Sequence, residues 1–265
     1  MKIPSLLEML QAGVHFGHQG SRWHPKMKPY IFTKRGGTHI INLEETQRQL
    51  EDTLARVKAM ASEGKTILFV TTKPQAHDIV RDAAKRAGAP YLVDRWIGGL
   101  LTNFPEMRKL FRKYLDLKAQ QTSGELERYT KAEQVRIGKE LEKQDENLGG
   151  IASLTKLPDA VFIPAMQREK TAVTEANRTG VPIIGICDTN ANPDKATYII
   201  PANDDAVSAI RMMVDLVADA YAEGRAEFEK NQKADIAAAA KAAKKEEADK
   251  TVSKPVSAAD GDRTN

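Results

Sequence analysis

A single cysteine, Cys187, stands in the 265-residue sequence. It excludes an internal disulfide and fits a reducing compartment. At the end of an apolar strand it reads as a buried, inert thiol rather than a nucleophile. No apolar run approaches the roughly 18–20 residues of a membrane span. The N-terminus lacks the order of charged, apolar and small residues that marks a secretion signal, so a cytoplasmic chain without a membrane partner is expected. Cofactor motifs are missing too. Gly64-Lys65-Thr66 looks like the end of a phosphate loop, but Ala59 stands where that loop needs its first glycine. The strand also follows the triplet instead of preceding it. Ile97-Gly98-Gly99-Leu100 and Leu148-Gly149-Gly150-Ile151 lack the dinucleotide-binding spacing and read as bends. No H-E-x-x-H or paired-cysteine zinc pattern occurs. These absences count against the rival reading, a cofactor-binding enzyme with a small-molecule substrate on a doubly wound sheet.

Acid is scarce where cations gather. The net charge is only +4, from 40 Lys and Arg against 36 Asp and Glu, with a pI near 9.0. Residues 1–35 carry six Lys or Arg against Glu8 alone, and residues 95–118 carry six against Glu106 and Asp116. Residues 230–265 carry eight against six, so the rest of the chain is net negative. Charge concentrated in this way favours an anionic partner touched on particular faces.

The stretch Gly13 to Phe32, GVHFGHQGSRWHPKMKPYIF, holds His15, His18 and His24, the cations Arg22, Lys26 and Lys28, and the rings Phe16, Trp23, Tyr30 and Phe32. Its two prolines and three glycines predict an arm without regular structure, outside any core. Rings interleaved with cations suit RNA, the cations neutralising phosphates and the flat faces stacking on bases or riboses. The other reading packs Trp23 and Phe16 onto the arm's own domain.

Ser5 to Leu10 predicts a short helix capped by Ser5. Tyr30–Thr33 and Thr38–Ile41 predict two strands around the turn Lys34-Arg35-Gly36-Gly37. Lys34 and Arg35 there either touch phosphate or form an ordinary exposed turn. Asn42 caps a helix to about Ala61, with Glu45 as reciprocal partner and Leu43, Leu50, Leu54, Val57 and Ala61 as its apolar stripe. Short apolar runs at Lys65–Val70, Tyr91–Val93, Pro158–Ile163, Val181–Cys187 and Tyr198–Ile200 read as five buried strands. Helices at Pro74–Ala87, Lys170–Thr179 and Asp204–Glu223, the last ending at Gly224, alternate with them. The class is therefore α/β, a parallel sheet with helices on both faces.

The sheet is interrupted between its second and third strands. Phe104, Met107, Phe111, Tyr114 and Leu117 form one helical stripe, Gln121 to Gly124 break it, and Val135, Leu141 and Leu148 form a thinner second one. Two long helices with narrow seams predict an inserted, projecting antiparallel coiled-coil hairpin. The organisation is then 1–42, basic arm and short hairpin; 43–103 with 151–226, sheet domain; 104–150, inserted hairpin; and 227–265, a charged, largely disordered tail.

Two groups of side chains carry candidate chemistry. Arg95-Trp96 follows a strand at the foot of the inserted hairpin, where Arg108 and Arg112 add charge. Trp96 either contacts RNA or wedges the hairpin root against the sheet. The second group is His18, Asp188, Asn190, Asp204 and Asp205. Asp188 directly follows a strand, at the carboxyl edge where parallel sheets collect ligands. Asp204 and Asp205 either cap the last helix or join His18 around a divalent ion. A histidine with carboxylates favours zinc; carboxylates with Asn190 and waters favour magnesium.

GVHFGH, WHPKMKPYIF, HIINLEET, RWIGGLLTNF, LGGI, LPDAVFI, ICDTNANPD and IPANDDA occur in that order. From about Ser5 to Gly224 the chain resembles the bacterial S-two family, the second protein of the small ribosomal subunit. The resemblance implies a flavodoxin-like five-stranded sheet of order 2-1-3-4-5, with the arm and first helix outside it. It also implies a structural constituent that supports translation and is not an enzyme. Such a protein binds small-subunit ribosomal RNA at the back of the subunit, near the head–body junction. It touches neighbouring ribosomal proteins and helps dock the large one that captures messenger RNA. The residues expected on RNA are Arg22, Trp23, Lys26, Lys28, Lys34, Arg35, Arg95, Trp96, Arg108 and Arg112. No cofactor is required, and a structural zinc or magnesium at His18, Asp188 and Asp205 is the one candidate.

Overall fold

The computed structural model describes the backbone over residues 3–252 and the side chains through residue 234, Glu127 excepted. Helix α1 spans Leu6–Gln11 and is capped as expected: Glu8 N donates to Ser5 Oγ at 3.3 Å, and Ser5 N to Glu8 Oε2 at 2.6 Å. The arm that follows is not irregular. It contains strand β1 (Phe16–Gln19), a 3₁₀ turn over Pro25–Tyr30, and strands β2 (Ile31–Arg35) and β3 (Thr38–Ile41). The three strands form an antiparallel sheet of order β1-β3-β2. The prolines and glycines that suggested disorder have specific places in it. Pro25 opens the 3₁₀ turn, where its missing N–H costs nothing, and Lys26 N donates to His24 Nδ1 at 3.3 Å. Strands β2 and β3 are the expected pair, and Gly36 and Gly37 supply the positive φ of the turn between them. Val14 and Met27 are fully buried, so the arm lies on the domain.

Strands β4 (Ile67–Val70), β5 (Tyr91–Leu92), β6 (Ala160–Ile163), β7 (Ile183–Cys187) and β8 (Tyr198–Pro201) make the five-stranded sheet. All are parallel, in the order β5-β4-β6-β7-β8. Counted along the chain that is 2-1-3-4-5, as expected. Because side chains alternate across a strand, each strand feeds two cores. Ile67, Phe69, Phe162, Ile184 and Ile186 point to one, Leu68, Val70, Val161, Ile163 and Ile183 to the other. Helices α2 (Leu43–Ser62), α3 (His77–Ala87) and α7 (Val207–Val252) cover the first face. Helix α6 (Lys170–Thr179) and the foot of the insertion cover the second.

Two helix ends differ from expectation. Asn42 caps α2, accepting from Glu44 N at 3.1 Å, but Glu45 turns to Arg48 rather than back to the cap. Helix α7 does not stop at Gly224. It runs on to Val252, and Gly224 marks a close crossing instead: a Cβ there would lie 2.4 Å from Lys58 O and 2.6 Å from the Ala61 Cβ. Beyond it Phe228 covers Gly64 in the same way. Of the tail expected to be largely disordered, residues 227–252 continue α7, and residues 253–265 lie outside the described residues.

The insertion consists of α4 (Phe104–Ser123) and α5 (Lys131–Leu148), joined through a 3₁₀ turn at Glu125–Arg128. Phe104, Met107, Phe111, Tyr114, Leu141 and Leu148 are buried, whereas Val135, expected in the seam, is exposed. Tyr114 and Lys118 of α4 both reach Asp145 of α5.

The foot of this insertion hangs on one carboxylate. Glu175 of α6 is buried and accepts from Trp96 Nε1 and Gly99 N at 2.9 Å, Leu101 N at 3.2 Å, Thr102 N at 3.3 Å and Thr102 Oγ1 at 3.2 Å. Burial alone would raise its pKa, but these donors outweigh burial and hold the carboxyl below its ordinary range. A depressed folded-state pKa means that this stabilisation is complete above the unfolded value, about 4.3, and drains away as pH falls through the folded value. Glu175→Ala should therefore cost about 2–4 kcal/mol in urea unfolding near neutral pH, because buried donors lose a charged acceptor. Glu175→Gln should also flatten the acid limb of the stability curve. An unchanged acid limb in Glu175→Gln would mean that the loop does not depend on the charge.

Candidate nucleic-acid interface and metal centre

The carboxyl edge of the parallel sheet is where the arm lands. Asp188 follows β7, Asp204 and Asp205 follow β8, and β1 carries His18 over them. His18 Nδ1 lies 3.0 Å from Asp188 Oδ2, and His18 Nε2 lies 3.3 Å from Asp205 Oδ2. One ligand atom from each of His18, Asp188, Asp204 and Asp205 falls within 4.8 Å of all the others. Residues far apart in sequence are thus brought together, as expected of His18, Asp188 and Asp205. Asn190 Oδ1, also a candidate ligand, is buried with no donor among the described residues.

The approach of arm to sheet is close. His18 N donates to Thr189 Oγ1 at 2.8 Å, and His24 N to Thr189 O at 2.7 Å. Between them Gly17 passes so near that a Cβ would sit 2.5 Å from Thr189 Cγ2 and 3.0 Å from His39 O. Among the described residues no α7 backbone N–H donates to Asp204 or Asp205. Asn203 Oδ1 instead shapes the turn just before α7, accepting from Asp205 N at 2.8 Å and Ala206 N at 3.4 Å.

Lys73 completes the cluster and was missed in the sequence. It follows β4 at the same sheet edge, with its side chain 10 % exposed. Its Nζ lies 3.0 Å from Asp204 Oδ1 and 2.6 Å from Asp205 Oδ1, and it also donates to Asp204 O. Burial, together with repulsion from Asp188, pushes Asp204 up to about 6 against the pull of Lys73. The hydrogen bond to Asp188 raises His18 despite burial.

The basic candidates divide. Arg22, Lys28, Lys34 and Arg35 are exposed and form no ion pair among the described residues. Lys26 is paired with Asp194. The Trp23 ring packs on His39, with centroids 5.1 Å apart, so it is partly engaged within the arm. Phe32 is 73 % exposed, at a bulge where β2 has one residue more than β3. From Met9 to Leu43 the chain contains no acidic residue. At the insertion's foot Arg95 is exposed, whereas Trp96 is half-buried and bound to Glu175. Arg108 and Arg112 stand one turn apart on α4, on the rim of a groove of about 340 Å³ that Phe111, Leu115 and Leu154 also line.

The family model described as Ribosomal protein S2 matches residues 9–224. The chain belongs to the ribosomal protein S2 family. A relative in Coprothermobacter proteolyticus, "Small ribosomal subunit protein uS2", is 46 % identical over 225 residues, covering 85 % of this chain and 84 % of the relative. Membership makes the chain a structural constituent of the small ribosomal subunit rather than an enzyme, which sets aside the cofactor-binding alternative. The family match begins at Met9 and so takes in the whole acid-free stretch. It ends at Gly224, where α7 crosses α2.

Gly17→Ala tests the junction between arm and sheet. The added methyl cannot enter without moving Thr189 or the His39 backbone, so the variant should lose about 1–3 kcal/mol, the usual cost of overpacking. Urea unfolding reads the change, and a wild-type midpoint would show slack where the structure has none.

Proposed function

We propose that this protein binds small-subunit ribosomal RNA in the bacterial cytoplasm, through the arm and the foot of the insertion, and so shapes the subunit near its head–body junction. The observation that carries the reading is the acid-free stretch from Met9 to Leu43, whose exposed Arg22, Lys28, Lys34 and Arg35 have no carboxylate to answer them among the described residues. Unpaired cations on one surface suit phosphates, whose counterions they release. Trp23 and Trp96 are assigned to the same interface, Trp96 through the loop it anchors. Arg95, Arg108 and Arg112 extend the charge along the second core, and Lys26 joins in only by sharing itself with Asp194.

The helical pair α4–α5 acts as an antiparallel coiled-coil lever, a reading supported by the Tyr114–Asp145–Lys118 cross-link. A protein neighbour, the large messenger-RNA-binding one, is assigned to the apolar side of the N-terminus. In support, α1 exposes Leu6, Leu7 and Leu10, and just beyond it Ala12 lines a groove of about 490 Å³ with Met212 and Leu216.

His18 and the carboxylates around it are proposed to hold a structural divalent ion. The donor set suits zinc, with one ring nitrogen as ligand and the other kept on a carboxylate, as metal-bound histidines usually are. Such an ion would tie β1 to the ends of β7 and β8.

Two measurements test these assignments. Replacing Arg22, Lys28, Lys34 and Arg35 together by Ala should weaken binding to naked small-subunit RNA and flatten its salt dependence, each lost duplex phosphate contact lowering the slope by about 0.9. An unchanged slope would place the four side chains in solvent. For the ion, chelator-washed small subunits carrying the wild type should retain more zinc than subunits carrying Asp188→Asn with Asp205→Asn. Equal zinc in both would remove a zinc site held by these carboxylates.

A further inference from the structure

We infer that Lys73 is a positioning residue, the resident cation that holds Asp204 and Asp205 against His18 and Asp188 and so keeps the arm docked even without a metal ion. Three carboxylates meet at this edge, and the side chains of Asp188 and Asp204 are 1 % and 6 % exposed. Like charges this close and this dry repel strongly unless a cation is shared among them. Among the described residues only Lys73 brings an ammonium to these acids, and all three of its donors are used: Asp204 O, Asp204 Oδ1 and Asp205 Oδ1.

The backbone fixes where that ammonium points. Lys73 N donates to Thr71 Oγ1 at 3.2 Å, Thr72 N and Oγ1 both donate to Glu169 Oε1, and Pro74 then opens a 3₁₀ turn. Lys73 therefore leaves the end of β4 in a held conformation, and its side chain spans to the segment after β8. Asp205 is the bridge. Its Oδ1 faces Lys73 and its Oδ2 faces His18. The lysine thus leaves free the oxygens of Asp188 and Asp205 that look toward the imidazole, and lysine and ion are compatible. The inference rests on the junction proposed above but not on an ion being bound there.

The test is amide hydrogen exchange of the full-length protein in chelator, read in the peptide containing Phe16–Gln19. The wild type should keep its protection. Lys73→Met should exchange faster by about tenfold or more, since removing one partner of a buried charge group opens the local structure. Wild-type protection that disappears in chelator would assign the docking to an ion and overturn the inference; so would Lys73→Met protection equal to wild type. If Lys73→Met fails to fold, Lys73→Met with Asp204→Asn removes charge and counter-charge together. Recovery of a folded, protected arm in that double variant supports the role, and failure to recover overturns it. Zinc content of the wild type is measured in parallel. A wild type without zinc refutes a zinc ion and leaves the exchange result for Lys73 standing.

Discussion

Asp188 is a carboxylate with almost no access to water, and the architecture of the N-terminal third answers to it. Its oxygens accept from Thr189 N and Oγ1 and from Asp204 N, and His18 closes over it. A parallel sheet buried on both faces leaves its carboxyl edge as the natural place for polar chemistry. Here that edge is covered. It receives the chain's own arm, which becomes a small antiparallel sheet because β1 has a fixed place to lie. The surface that carries Arg22, Lys28, Lys34 and Arg35 therefore inherits its geometry from a buried acid on a distant strand.

The same logic recurs at the other core. Glu175, in the middle of α6, gathers the indole N–H and three backbone N–H groups of the loop that launches α4. One charged acceptor does there what several neutral ones would otherwise do, and it fixes the direction in which the insertion leaves the sheet. Arg95, Arg108 and Arg112 are presented from a root whose orientation depends on that acceptor.

How much of this was legible in the sequence depended on the range of the interaction. The five strands were legible because runs such as Ile67–Val70 are apolar on both faces, and their alternation with helices leaves few topologies. The cap at Ser5 and the insertion between β5 and β6 were local signals as well. The β2–β3 hairpin was legible from its glycine turn, but β1 and the seat of the arm on the sheet were not. Gly17 and Pro25 look the same in an irregular segment as in a built one, and the residue that explains Gly17 is Thr189. Gly224 was read as a helix stop because a terminal glycine and a glycine at a helix crossing are indistinguishable until α2 is seen beside it. Lys73 and Glu175 were missed because nothing local in the sequence says that either is buried. His18, Asp188 and Asp205 were legible because imidazole and strand-end carboxylates are informative by chemical type, wherever their partners lie.

The contacts that seat the arm span nearly the whole chain. Asn203 N donates to Val14 O and Asn203 Nδ2 to Gly13 O, and Ser208 Oγ donates to Ala12 O. During synthesis, which delivers the N-terminus first, residues 12–24 emerge long before any of these partners. The segment that gathers the unpaired cations is the first made and among the last completed. Until residue 208 has left the translating ribosome, it is a basic, unfinished strand in a cell full of RNA.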